Sequence, residues 1–122
     1  MSIQTILVVE PSPVERARVA NTLSGAGYQV IVAADGEEGV DIAKRDCPDL
    51  ILMEVVMPGL NGYQATRALT RSEDARLAKT PIILISAKGQ DTDKVWGLRQ
   101  GAIDYLVKPV SDDELLTRIA DI

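Results

Sequence analysis

The sequence predicts an α/β fold, a doubly wound parallel sheet of five strands alternating with five helices in one domain. Three observations carry that reading. Short, uniformly apolar runs recur along the chain, as expected of strands buried on both faces. The segments between them open and close on helix start and stop signals. The length, 122 residues, suits one domain around one core.

The strands come first. Ile6-Leu7-Val8-Val9 and Ile82-Ile83-Leu84-Ile85 are apolar and rich in β-branched residues, and Leu50-Ile51-Leu52-Met53 is equally apolar. Val30-Ile31-Val32-Ala33 and Tyr105-Leu106-Val107 are weaker and read as edge strands. The first helix opens at Ser12-Pro13-Val14-Glu15, an N-cap, a proline at the first helical position and a reciprocal glutamate. Asp35-Gly36-Glu37-Glu38, Asn61-Gly62-Tyr63-Gln64 and Ser111-Asp112-Asp113-Glu114 repeat that capping logic. The fourth helix begins near Asp91 or Thr92, with Val95, Leu98 and Ala102 as its core stripe. Gly25 and Gly27 stop the first helix, Pro48 follows the second and Gly101 follows the fourth. Residues 72–80 read as a solvated loop, and the last helix is expected to run to Ile122, leaving no room for an output domain.

Strict βα alternation with short loops implies right-handed crossovers, helices on both faces and the flavodoxin-like (βα)5 strand order 2-1-3-4-5. Ligands in such sheets bind at the carboxyl ends of the strands. That rule selects Glu10, Glu54, Ser86 and Lys108, each at or just beyond a strand end.

Composition excludes more than it selects. Hydrophobic residues make up 46% and charged residues 25%, the mixture of a globular chain. A net charge of −5 argues against nucleic acid, whose phosphates call for clustered Lys and Arg. No apolar run approaches the roughly 20 residues of a membrane span. The N-terminus lacks a signal-peptide pattern, so a cytoplasmic protein with no membrane partner is expected. With no histidine, Ser-His-Asp and Cys-His catalysis are excluded, and the lone Cys47 reads as inert. No glycine-rich fingerprint follows the first strand, which argues against a nucleotide binder or an enzyme on this fold.

Over essentially its full length, the chain resembles the receiver domains of two-component response regulators. The resemblance rests on Ile6-Leu7-Val8-Val9 before Ser12, on Leu52-Met53 before Met57-Pro58-Gly59-Leu60-Asn61-Gly62, and on Tyr105-Leu106-Val107-Lys108-Pro109. Residues 59–67 and 93–102 are similar to the stand-alone regulators of type IV pilus twitching motility, the PilH type. The resemblance implies a receiver over residues 1–122 that is no enzyme, with signalling proteins (a sensor kinase or pilus and motility machinery) as partners. It implies Lys108 as the phosphate-contacting lysine, Ser86 as the switch hydroxyl and Tyr105 as the switch aromatic.

The acids break the pattern. Glu54 stands where the family has its phosphoacceptor aspartate, and Glu10 and Pro11 replace the metal-binding acidic pair. Glutamate carries its carboxylate about 1.5 Å further, by one C–C bond. In-line transfer needs reacting atoms aligned at roughly 3–3.5 Å. Pro11 offers no carboxylate, so Mg²⁺, which demands near-ideal octahedral oxygens, is expected to bind weakly or not at all. Glu10, Glu54 and Lys108 sum to a charge near −1, and Glu54 can pair with Lys108 directly. The expectation is an atypical receiver that works by protein–protein interaction, independently of phosphorylation. Two alternatives stay open: a conventional phosphoacceptor with weak Mg²⁺ use, or an engineered phosphomimetic at Glu54.

Each residue also has a plainer role. Glu10 can cap the following helix, Ser86 can be an ordinary strand-end serine, and Tyr105 can be packing. Trp96 falls off the expected core stripe and reads as a partner-binding anchor, or as an indole folded over Arg99 or Lys94. Self-association through the fourth helix, fifth strand and last helix is a further expectation.

Overall fold

In chain order, the computed structural model, which describes residues 2–122, runs β1 (Thr5–Val9), α1 (Pro13–Gly25), β2 (Gln29–Ala33), α2 (Gly36–Asp46), β3 (Leu50–Glu54), α3 (Gly62–Thr70), α4 (Ala75–Ala78), β4 (Ile82–Ser86), α5 (Asp91–Gln100), β5 (Asp104–Val107) and α6 (Asp112–Ala120). The five strands form one parallel sheet in the order β2-β1-β3-β4-β5. The expected strand order is therefore observed.

Alternate strand residues face opposite layers. Leu7, Val9, Ile51, Met53, Ile82 and Leu84 pack with Ala65, Leu69 and Leu77 on one side of the sheet. Ile6, Val8, Leu50, Leu52, Ile83 and Ile85 pack with Val19, Leu23, Leu115 and Ile119 on the other. All residues of β3 and β4 are buried, which is why their sequences show no alternation.

Register decides where the polar residues fall. Val9 lies opposite Met53, Glu54 opposite Ile85, and Ser86 opposite Val107. The residues that end or follow β1, β3, β4 and β5 therefore share one rim of the sheet.

Four expectations need correction. Residues 72–80 contain a one-turn helix, α4, capped by Asp74, whose carboxylate accepts from Arg76 N–H at 3.0 Å. Its Leu77 is buried, so the segment is no simple solvated loop. At α1, Ser12 does cap Glu15 N–H, but Glu15 does not reach back; its carboxylate binds Arg18 instead, at 2.6 Å. The last helix stops at Ala120.

The fourth correction concerns α5, the helix expected fourth. Val95 and Leu98 are exposed, so they are not its core stripe. The helix meets the sheet through Gly97, where an added Cβ would lie 2.9 Å from Leu84 and 3.0 Å from Tyr105. A glycine at the contact lets the helix backbone approach where a Leu would hold it away.

Candidate functional site

At the rim, Lys108 joins two carboxylates. Its Nζ donates to Glu10 Oε1 at 2.5 Å and to Glu54 Oε1 at 2.8 Å. Glu10 and Glu54 are buried, and the Lys108 side chain is 23% exposed. Two formal negative charges thus enclose one positive charge in a region mostly shielded from water.

The other carboxylate oxygens are engaged as well. Glu10 Oε2 accepts from Ser12 N–H at 3.1 Å, so Glu10 serves the entry to α1 and the ion cluster together. Glu54 Oε2 accepts from Val55 N–H at 2.6 Å and Val56 N–H at 3.0 Å. The extra methylene of glutamate lets the carboxylate curl onto its own loop while its other oxygen faces Lys108. Burial alone would push the Lys108 ammonium down, but its bonds to Glu10 and Glu54 outweigh this and hold its pKa above the ordinary lysine value.

Arg16 was not singled out from the sequence. Its Nη1 donates to the Glu10 carbonyl at 2.8 Å, so α1 holds the loop that carries Glu10. Its only signal is a place one turn past the Ser12 cap.

Ser86 and Tyr105 sit beside the ion cluster rather than in it. Ser86 is fully buried, and its Oγ accepts from Lys88 N–H at 3.3 Å. Its carbonyl accepts from Lys108 N–H at 2.9 Å, tying the ends of β4 and β5 together. Tyr105 points inward, 7% exposed, and its hydroxyl donates to the Lys88 carbonyl at 2.7 Å. Burial pushes that hydroxyl well above the usual phenol range. The two side chains therefore fix the loop between β4 and α5. Trp96 lies on α5, away from this cluster, and is half-exposed.

A divalent cation asks for several free oxygens in octahedral array. Here the Pro11 side chain supplies none, and every carboxylate oxygen of Glu10 and Glu54 already accepts a hydrogen bond. The residues present do not fit a resident Mg²⁺, because the Lys108 ammonium already lies between the two carboxylates. Among the described residues, no group of three or more His, Cys, Asp or Glu side chains is placed to hold a metal ion. Among the same residues, no helix is long and apolar enough to cross a membrane.

The family described as response regulator receiver domain matches residues 6–120. The chain is 50% identical over 114 residues to Protein PilH of Pseudomonas aeruginosa, covering 93% of each. It spans about half the length of the transcriptional regulators that it also matches. Among solved structures it is similar to the chemotaxis protein CheY4 of Vibrio cholerae, with a TM-score of 0.91, 30% identity and 99% of each chain covered. It is also similar to the receiver domain of the sensor histidine kinase PA1611 of Pseudomonas aeruginosa, with a TM-score of 0.88 and 36% identity. That match covers 98% of this chain and 97% of the other, whose active site cleft coordinates a magnesium ion.

Proposed function

The chain belongs to the response regulator receiver domain family, and on that premise we propose that it signals by protein–protein interaction without taking up phosphate. Its class of process is two-component signalling. The supporting observation is the Lys108 ion cluster, with Nζ 2.5 Å from Glu10 and 2.8 Å from Glu54.

An acceptor carboxylate must present a free oxygen, in line with the leaving group, to a phosphoryl donor. Both Glu54 oxygens are held, one by the lysine and the other by two backbone N–H groups. Approach of a phosphoryl group also brings negative charge, normally offset by a metal ion. Here Lys108 offsets Glu10 and Glu54 instead. Glu54 takes the part of a built-in anion on Lys108, and Tyr105 and Ser86 hold the β4–α5 loop in one conformation. One carboxylate has less charge and fewer acceptor oxygens than a phosphate, so the cluster imitates phosphorylation only in part.

Residues 1–122 act as one receiver domain in the cytoplasm, and no catalytic step of its own is assigned to it. The identity to PilH supports a place in pilus or chemotaxis-like motility control, with a sensor kinase or the motility machinery as partners. Trp96 contributes to the partner surface.

Incubation with Mg²⁺ and acetyl phosphate, followed by intact mass measurement, tests the central claim. No phosphoryl adduct is expected; rapid formation of a single adduct on Glu54 restores the phosphoacceptor reading. A Mg²⁺ titration followed by calorimetry is expected to show no saturable binding at millimolar concentrations. Micromolar affinity that is lost on Glu10→Gln would show that the metal displaces Lys108.

A further inference from the structure

Helices α3 and α5 run side by side and are fastened at both ends. The Tyr63 hydroxyl donates to the Asp93 carbonyl at 3.1 Å, and the Thr70 hydroxyl lies 2.9 Å from the Gln100 carbonyl and equally near the Thr66 carbonyl of its own helix, between which its single proton is shared. Helical spacing fixes what lies between these fastenings. Arg67 follows Tyr63 by one turn and precedes Thr70 by one turn. Trp96 stands in the same relation to Asp93 and Gln100. Trp96 therefore lies on the flank of α5 that faces α3, not on the flank toward β5 and α6.

The charge on this face runs against that of the chain. Net charge is −5, yet Arg67, Arg71 and Arg99 are exposed here. None of the three forms an ion pair among the described residues, whereas Arg18, Arg45 and Arg118 all do. Trp96 is 49% exposed and lines one surface concavity with Thr92, Val95, Arg99 and one carboxylate, Asp91, which the three arginines outnumber. Tryptophan and arginine are the side chains that most often carry binding energy at interfaces. Guanidinium groups bind carboxylates through two parallel hydrogen bonds. The two fastenings hold the helices in place before any partner arrives, which lowers the ordering cost of docking.

We propose that the α3–α5 face docks an acidic protein segment that carries an apolar anchor. The anchor lies against Trp96, and flanking carboxylates meet Arg67, Arg71 and Arg99. This rests on the reading of the chain as an interaction module and adds the chemical class of partner and the face that takes it. An anionic membrane is the weaker occupant, since the remainder of the chain would be repelled from it.

The test uses the whole chain and two fluorescein-labelled peptides, one with glutamate pairs alternating with leucine and one with lysine replacing the glutamates. Anisotropy at low salt is expected to show saturable binding of the glutamate peptide only, weakening as salt is added. Trp96→Ala, and separately Arg67→Glu with Arg71→Glu, are each expected to weaken binding about tenfold or more. All three positions are exposed, and circular dichroism checks that each variant folds. If a variant fails to fold, Arg99→Ala replaces it and is held to the same loss. The proposal is overturned by failure of the glutamate peptide to bind, by equal binding of the lysine peptide, or by unchanged affinity in folded variants. Tighter binding to phosphatidylglycerol vesicles than to the peptide overturns it as well. A phosphoryl adduct in the mass measurement would remove phosphate independence and leave this face standing, so the two failures are distinguishable.

Discussion

Replacing Lys108 with methionine is expected to destabilise the fold by about 3–5 kcal/mol, because it removes one partner of a largely buried ion cluster and keeps the side-chain bulk. Glu10 and Glu54 would then face one another at the rim of the sheet with no cation between them. The lost energy is mainly that of two shielded carboxylates without compensation, rather than of the two contacts themselves. Combining Lys108→Met with Glu10→Gln and Glu54→Gln should therefore recover most of the loss. Urea unfolding of the parent, the single variant and the triple variant measures both steps. A single variant within about 1 kcal/mol of the parent would place the cluster among ordinary surface ion pairs.

Acidity gives an independent check on the same cluster. The Lys108 pKa is raised in the folded state, so its contribution is fully present below the unfolded lysine value near 10.5 and is lost as pH rises through the higher folded value. Between pH 6 and 9, by roughly the same reckoning, Lys108 adds no slope to stability. Lys108→Met lacks that contribution, so the gap between variant and parent should narrow as pH rises through the lysine range above about 10.5. A gap unchanged over that interval would show that Lys108 gains nothing from its two carboxylate partners.

Much of this architecture was legible because the packing rule was simple. Strands β1, β3 and β4 are covered on both faces, so their residues are apolar without alternation and stand out against polar surroundings. Helix entries were legible where a side chain caps the backbone, as at Asn61, whose side-chain Oδ1 accepts from Gln64 N–H at 2.9 Å. Helix α5 misled because its tightest contact with the sheet is made by Gly97, which has no side chain to mark a buried stripe. Helix α4 was missed because one buried residue, Leu77, carries no periodicity.

The site was legible as a set of residue types and not as a geometry. Glu10, Glu54 and Lys108 stood out because each follows an apolar strand. Their mutual engagement depends on strand register across a separation of 98 residues, which no local pattern encodes. The same holds for the Glu54 carboxylate turning back onto Val55 and Val56, which requires the backbone path after β3. Trp96 was recognised as lying outside the core, yet its flank depended on contacts between α3 and α5 that only the folded chain defines.

Glu54→Asp alone is expected not to restore phosphorylation by acetyl phosphate. Shortening the side chain frees the acceptor from its own loop, but transfer also requires positive charge to offset the incoming phosphoryl group. Pro11 contributes no carboxylate to hold a metal ion, and Lys108 remains bound to Glu10 at 2.5 Å. Combining Glu54→Asp with Glu10→Asp and Pro11→Asp is expected to give labelling that depends on Mg²⁺. The shorter residue at position 10 releases Lys108, and the new acid at position 11 supplies the missing carboxylate. Three carboxylates around one lysine repel one another, so without Mg²⁺ the triple variant should melt below the parent. Binding to the folded state alone then restores stability by mass action, raising the midpoint as Mg²⁺ is added. Intact mass after acetyl phosphate treatment and thermal melts across a Mg²⁺ series measure the two effects on one sample. Rapid labelling of Glu54→Asp alone would show that Pro11 is no obstacle. A folded triple variant that binds Mg²⁺ and stays unlabelled would move the block to the β4–α5 loop, where Ser86 Oγ is already engaged by Lys88 N–H at 3.3 Å.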